Sequence, residues 1–105
     1  MFYEYIQNNS RGFYTEPSIY IYIQSETSEE ANRIARSMGV YFDGVYFDID
    51  CECCGDRWYS CLDNKKIKID EEFIKNLRKE SKYFNSDIPY AIIRFSNGNK
   101  INIIW

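Results

Sequence analysis

Histidine is absent from this 105-residue chain. That absence removes cysteine-protease chemistry and Ser-His triads, which both need an imidazole base. A Walker sequence and G-x-G-x-x-G are missing too, so no phosphate-cradling glycine loop is signalled. Apolar runs last only a few residues, far short of the roughly 20 that cross a bilayer. The opening MFYEYIQNNS has no basic start and no long apolar stretch. The expectation is therefore no signal peptide and a cytosolic address, where thiols stay reduced and disulfides are rare. No repeat, low-complexity tract or Pro/Gly-rich linker divides the chain, so residues 1–105 are expected to form one domain.

What is present is aromatic and unevenly charged. Ten tyrosines, seven phenylalanines and two tryptophans bring the aromatic fraction to 18%, a composition that folds rather than stays disordered. The net charge is −3, but residues 1–56 balance at −7 and residues 57–105 at +4. The acidic stretch 41–56 holds Asp43, Asp48, Asp50, Glu52 and Asp56 without a lysine or arginine. The basic side chains gather over 65–82 as Lys65, Lys66, Lys68, Lys75, Arg78, Lys79 and Lys82. Nucleic-acid footprints usually belong to basic domains, and the pI here is near 4.9. The basic run is better explained as a solvated helix face.

Local signals define most elements. MFYEYIQ and SIYIYIQ, with its alternation of Ile19, Ile21 and Ile23 against Tyr20 and Tyr22, predict two strands paired as a hairpin. Thr27 followed by Glu30 is a capping box, and Ala31, Ile34, Ala35 and Met38 form one helical stripe ending at Gly39. Val40–Phe42 and Val45–Ile49 read as strands around the Asp43-Gly44 turn. RWYSCL and KIKI read as a hairpin across Asp63-Asn64-Lys65. Asp70 is the N-cap of a second helix of about twelve residues, with Phe73, Ile74 and Leu77 inward. IPYAIIRF and KINIIW flank Asn97-Gly98, a type I′ signal that pairs Ile92 with Ile103 and Tyr90 with Trp105. The expected order is β-β-α-β-β-β-α-β-β, an α+β domain with two helices packed on a mostly antiparallel sheet. An exposed edge at the last hairpin would permit a homodimer.

All four cysteines lie between Cys51 and Cys61. Three readings fit. Cys51-Glu52-Cys53-Cys54-Gly55 contains the C-x-x-C-G spacing of a zinc knuckle, and Cys51, Cys54 and Cys61, with Cys53 or a carboxylate, would complete four ligands. Redox chemistry favours C-x-x-C at a helix N-terminus, whereas a strand is expected to follow here. The preferred reading has small thiols packed in a tight turn with no cofactor, since free cysteine behaves as a small hydrophobe. The carboxylates at 43, 48, 50, 52 and 56 single out no acid/base pair, so no enzyme is expected.

Over GVYFDGVYFDIDCECCGDRWY the chain resembles a group of small tailed-bacteriophage proteins carrying a Y-F-D-G … D-C-x-C-C-G-D-R-W motif. The matching positions are Tyr41, Phe42, Asp43, Gly44, Asp50, Cys51, Cys53, Cys54, Gly55, Asp56, Arg57 and Trp58. The resemblance implies a phage origin and no activity. The resulting expectation is a non-enzymatic phage protein in the host cytoplasm that binds and modulates a host or anti-phage defence protein. Asp43, Asp48, Asp50, Asp56, Arg57 and Trp58 would carry the contact, with Arg57 and Trp58 raised to the rim of the sheet. The alternative is a zinc-stabilised nucleic-acid-binding accessory protein using the basic face.

Overall fold

A computed structural model describes residues 1–8, 14, 16–50, 55–59, 66–83 and 88–104. The two aromatic and β-branched segments at the start pair as expected: β1 (Phe2–Ile6) lies antiparallel to β2 (Tyr20–Gln24), with Phe2 opposite Gln24 and Ile6 opposite Tyr20. After β2 come α1 (Ser28–Ser37), β3 (Lys66–Ile67), α2 (Glu71–Ser81), β4 (Ala91–Arg94) and β5 (Lys100–Ile103). The sheet runs β3-β1-β2-β4-β5. Three pairings are antiparallel, while β2 and β4 are parallel. Among the described residues the fold is α+β with a five-stranded mixed sheet, in the order β-β-α-β-α-β-β.

Both helices start where their side chains can satisfy backbone donors. Thr27 Oγ1 accepts from the Glu30 amide at 3.2 Å, and Asp70 Oδ1 accepts from the Phe73 amide at 2.9 Å. Helix α1 ends in a Schellman arrangement. The Val40 amide reaches Ala35 O and the Gly39 amide reaches Arg36 O, each at 3.1 Å. Gly39 takes φ 102° there, a conformation that disfavours any Cβ.

Strand alternation delivers the sheet to two cores, one on each face. Tyr3, Tyr5, Ile21 and Ile23 meet Ala31, Ile34 and Ala35 of α1. Phe2, Tyr22, Ala91, Ile93 and Ile103 meet Leu77 of α2, with Phe73 and Ile74 packed alongside. Lys75, Arg78, Lys79 and Lys82 stay on the exposed side of α2, as the sequence predicts.

Three expectations about strands fail. Val40–Phe42 and Val45–Ile49 are not strands; residues 44–50 form turns and bends. Asp43 and Asp48 adopt positive φ (56° and 60°), which breaks extension, and the backbone bonds close locally instead. The Phe47 amide donates to Asp43 O, while the Ile49 and Asp50 amides both donate to Gly44 O. Arg57–Tyr59, the start of the expected RWYSCL strand, is also not extended into the sheet, and only Lys66–Ile67 of KIKI pairs, with β1. The Asp63-Asn64-Lys65 turn and Trp105 lie outside the described residues.

The last hairpin forms, but one residue out of the expected register. Ile92 pairs with Asn102 and Ile93 with Ile101. The loop is Ser96-Asn97-Gly98, closed by Phe95 N to Asn99 O at 2.8 Å and Gly98 N to Phe95 O at 2.9 Å. A type I′ turn needs positive φ at both central residues, and here only Gly98 has it (93°). The result is a three-residue loop with the glycine at its left-handed position.

Candidate functional site

The described parts of the acidic, aromatic segment, residues 41–50 and 55–59, are anchored from inside. Asp50 is 6% exposed and is their centre. Its Oδ1 accepts from the Tyr41 hydroxyl at 2.8 Å, and its Oδ2 accepts from the Arg57 amide at 2.9 Å. Gly44 lies against this carboxylate so closely that a Cβ there would sit 1.8 Å from Asp50 Oδ2. Burial, then the Asp50 carboxylate, pushes the Tyr41 hydroxyl above its ordinary value, with Arg57 opposing. Tyr41 therefore remains a neutral donor.

A second set of bonds ties the far arm of the loop to the end of β1. Arg57 Nη1 donates to Gln7 Oε1 at 2.7 Å, and Gln7 Nε2 donates to Ser18 O at 2.9 Å. The Asn8 amide donates to Arg57 O at 2.8 Å, and Asn8 Nδ2 donates to Asp56 O at 3.1 Å. Asp56 Oδ1 in turn accepts from the Val45 amide at 2.9 Å. Gly55, just before Asp56, adopts a positive φ of 79°.

This arrangement redistributes the expected contact residues. Asp43 and Asp48 are exposed and Asp56 is half-buried. Asp50, Arg57 and Trp58 do not reach the rim: Arg57 is 4% and Trp58 1% exposed. The backbone and side-chain amides of Asn8 hold the Arg57 and Asp56 carbonyls beside the end of β1, and the Arg57 and Trp58 side chains are buried there. Trp58 joins Tyr3, Tyr5 and Phe42 in the core, where its large apolar area is most favourably placed. Its Nε1 finds no acceptor among the described residues.

What the loop shows to solvent was missed by the sequence reading. Tyr46 is 82% exposed and Phe47 62%, their rings edge-to-face with centroids 5.0 Å apart. Ile49 and Tyr59 are also largely exposed. Read as a strand, residues 45–49 would send alternate side chains inward. As a turn they send Tyr46, Phe47 and Ile49 outward together, and the available signal was the pair of aspartates, a residue type that tolerates left-handed backbone. Large apolar side chains gathered on a surface mark interaction sites more often than solvated faces.

Cys51, Cys53, Cys54 and Cys61 lie outside the described residues, and with them the zinc site expected from Cys51, Cys54 and Cys61. Among the described residues, no group of three His, Cys, Asp or Glu side chains is placed to hold a metal ion. No helix among them is long and apolar enough to cross a membrane. A family described as a domain of unknown function, DUF7296, matches residues 1–104.

The chain belongs to the DUF7296 family.

The match runs from before β1 to beyond β5, so in this DUF7296 domain it spans every strand and helix described above. No curated protein and no solved structure matches the chain.

Proposed function

We propose that this chain is a non-catalytic phage protein that binds and modulates a host or anti-phage defence protein, using the loop at 43–49 with Tyr59. The observation that carries the reading is a loop fixed by buried bonds yet displaying Tyr46, Phe47 and Ile49 to solvent. Holding a loop rigid lowers the entropy lost when it docks, and exposed tyrosine and phenylalanine are common interface anchors. Asp43 and Asp48 flank the rings, which favours a partner cleft that is apolar inside and basic at its rim. The likeness to small tailed-phage proteins over residues 39–59 supports the phage setting and a partner from the host.

The test compares capture from host lysate by the parent protein and by a Tyr46→Ser, Phe47→Ser variant. Truncating two anchors is expected to weaken binding by at least roughly thirtyfold, equivalent to about 2 kcal/mol, with the thermal midpoint kept. Equal capture by both proteins would reject the loop as the contact.

A further inference from the structure

The opposite face of the sheet carries a feature that the anchored loop does not touch. Between α2 and the β1–β2 pair runs a groove of about 400 Å³, within the size range of small-molecule sites. Its floor is Tyr20 and Tyr22, two residues apart on one face of β2, their rings 9° from parallel with centroids 6.3 Å apart. Phe73 of α2 stands edge-on to Tyr22 at 5.3 Å.

A carboxylate flanks each side of this floor. On β1, Glu4 lies opposite Tyr22 and accepts the hydrogen bond of its hydroxyl. On the β4 side, Glu80 Oε2 accepts from the Tyr90 hydroxyl at 3.0 Å, and the Tyr90 ring lies 5.1 Å from that of Tyr20. Burial and these carboxylates push both Tyr22 and Tyr90 well above the ordinary tyrosine value, so their protons stay in place and point at the acids. Among the described residues, no lysine or arginine lines the groove. The groove thus presents the partly exposed rings of Tyr20 and Phe73, with Tyr22 buried beneath them, between two anionic ends.

We propose that this groove binds an aliphatic diamine or polyamine, with ammonium groups at Glu4 and Glu80 and the methylene chain across Tyr20 and Phe73. Ammonium groups gain both from the carboxylates and from the ring faces, and the chain between them needs an apolar floor. A bare divalent ion fits poorly, since it demands several oxygens around one point, whereas these two acids stand on either side of the rings.

Calorimetric titration of spermidine into the folded protein at low salt tests the proposal. Saturable one-to-one binding is expected, weakened by at least about tenfold in both Glu4→Gln and Glu80→Gln. Glu29→Gln, on α1, removes the same charge and should leave affinity unchanged. Spermidine should also shift the ring protons of Tyr20, Tyr22 and Phe73 in NMR spectra of the parent protein, a readout independent of how the variants fold. Absent saturation, an equal loss in Glu29→Gln, or unshifted rings would each overturn the proposal. So would equally tight binding of N-acetyl-lysine methylamide, which carries one ammonium and would assign the groove to a protein's side chain.

Discussion

At the scale of single residues, Gly44 and Asp50 decide the shape of the turn at 43–50. A methyl group at position 44 would collide with Asp50 Oδ2, and that oxygen cannot move without giving up the Arg57 amide. Gly44→Ala should therefore cost about 1–3 kcal/mol, the usual range for overpacking a filled site. Thermal melts should show a drop of several degrees, since one kcal/mol corresponds to roughly 4–8 °C in a domain of this size. An unchanged midpoint would mean that Asp50 does not hold the loop. Trp58 is the companion case. With the ring buried among Tyr3, Tyr5 and Phe42, Trp58→Ala should destabilise by about 3–5 kcal/mol, and a protein that melts normally would return Trp58 to the surface. Neither role is written in the local sequence. Asp50 and Arg57 resemble any other exposed pair of charges until Gln7, Ser18 and Tyr41, brought from other parts of the chain, supply their partners.

The elements separate into those settled by neighbours in sequence and those settled by distant contacts. The helices are of the first kind: Thr27 and Asp70 cap amides three residues away, and Gly39 turns the chain at the next step. The turn at 43–50 is of the second kind. Valine, tyrosine and phenylalanine favour strands only as residues that suit a pleated, half-buried surface, and here Asp50 is drawn into the interior and takes that surface away. The parallel pairing of β2 with β4 likewise depends on the packing of both helices and leaves no local mark. The last hairpin falls between. Asn97-Gly98 announces a turn correctly, but Asn97 Oδ1 accepts from the Asn99 amide at 2.9 Å, and the loop closes over three residues instead of two. Both turn types need a left-handed Gly98, so the change of register leaves its role intact. A Cβ there would meet nothing within 4 Å, which makes the cost of substitution purely conformational. Gly98→Val should lose about 1–2 kcal/mol, and Gly98→Asn much less, because asparagine tolerates left-handed backbone. Equal denaturation midpoints for the valine variant and the parent would refute that assignment.

For the molecule as a whole, high pH acts through buried phenols. Besides Tyr41 on the α1 face, the face under α2 buries Tyr22 and Tyr90, whose hydroxyls donate to Glu4 and Glu80. Both tyrosines titrate above their ordinary value of 10.0, chiefly through burial. Folding therefore favours the protonated phenols. Their contribution is complete below pH 10, and it is lost as pH rises further, because the unfolded chain releases these protons first. Each such tyrosine adds a slope of up to about 1.4 kcal/mol per pH unit. Urea midpoints measured at pH 7, 9, 10 and 11 should thus show no loss from these groups up to pH 9 and a decline beyond 10. Tyr90→Phe removes one of the two titrations along with its hydrogen bond to Glu80. That variant should be less stable than the parent at pH 7 and should lose the difference as pH rises past 10, the two curves converging. Parallel curves across the whole range would show that the Tyr90 proton is not coupled to folding, and equal midpoints at pH 7 that the pairing with Glu80 contributes nothing to the α2 face.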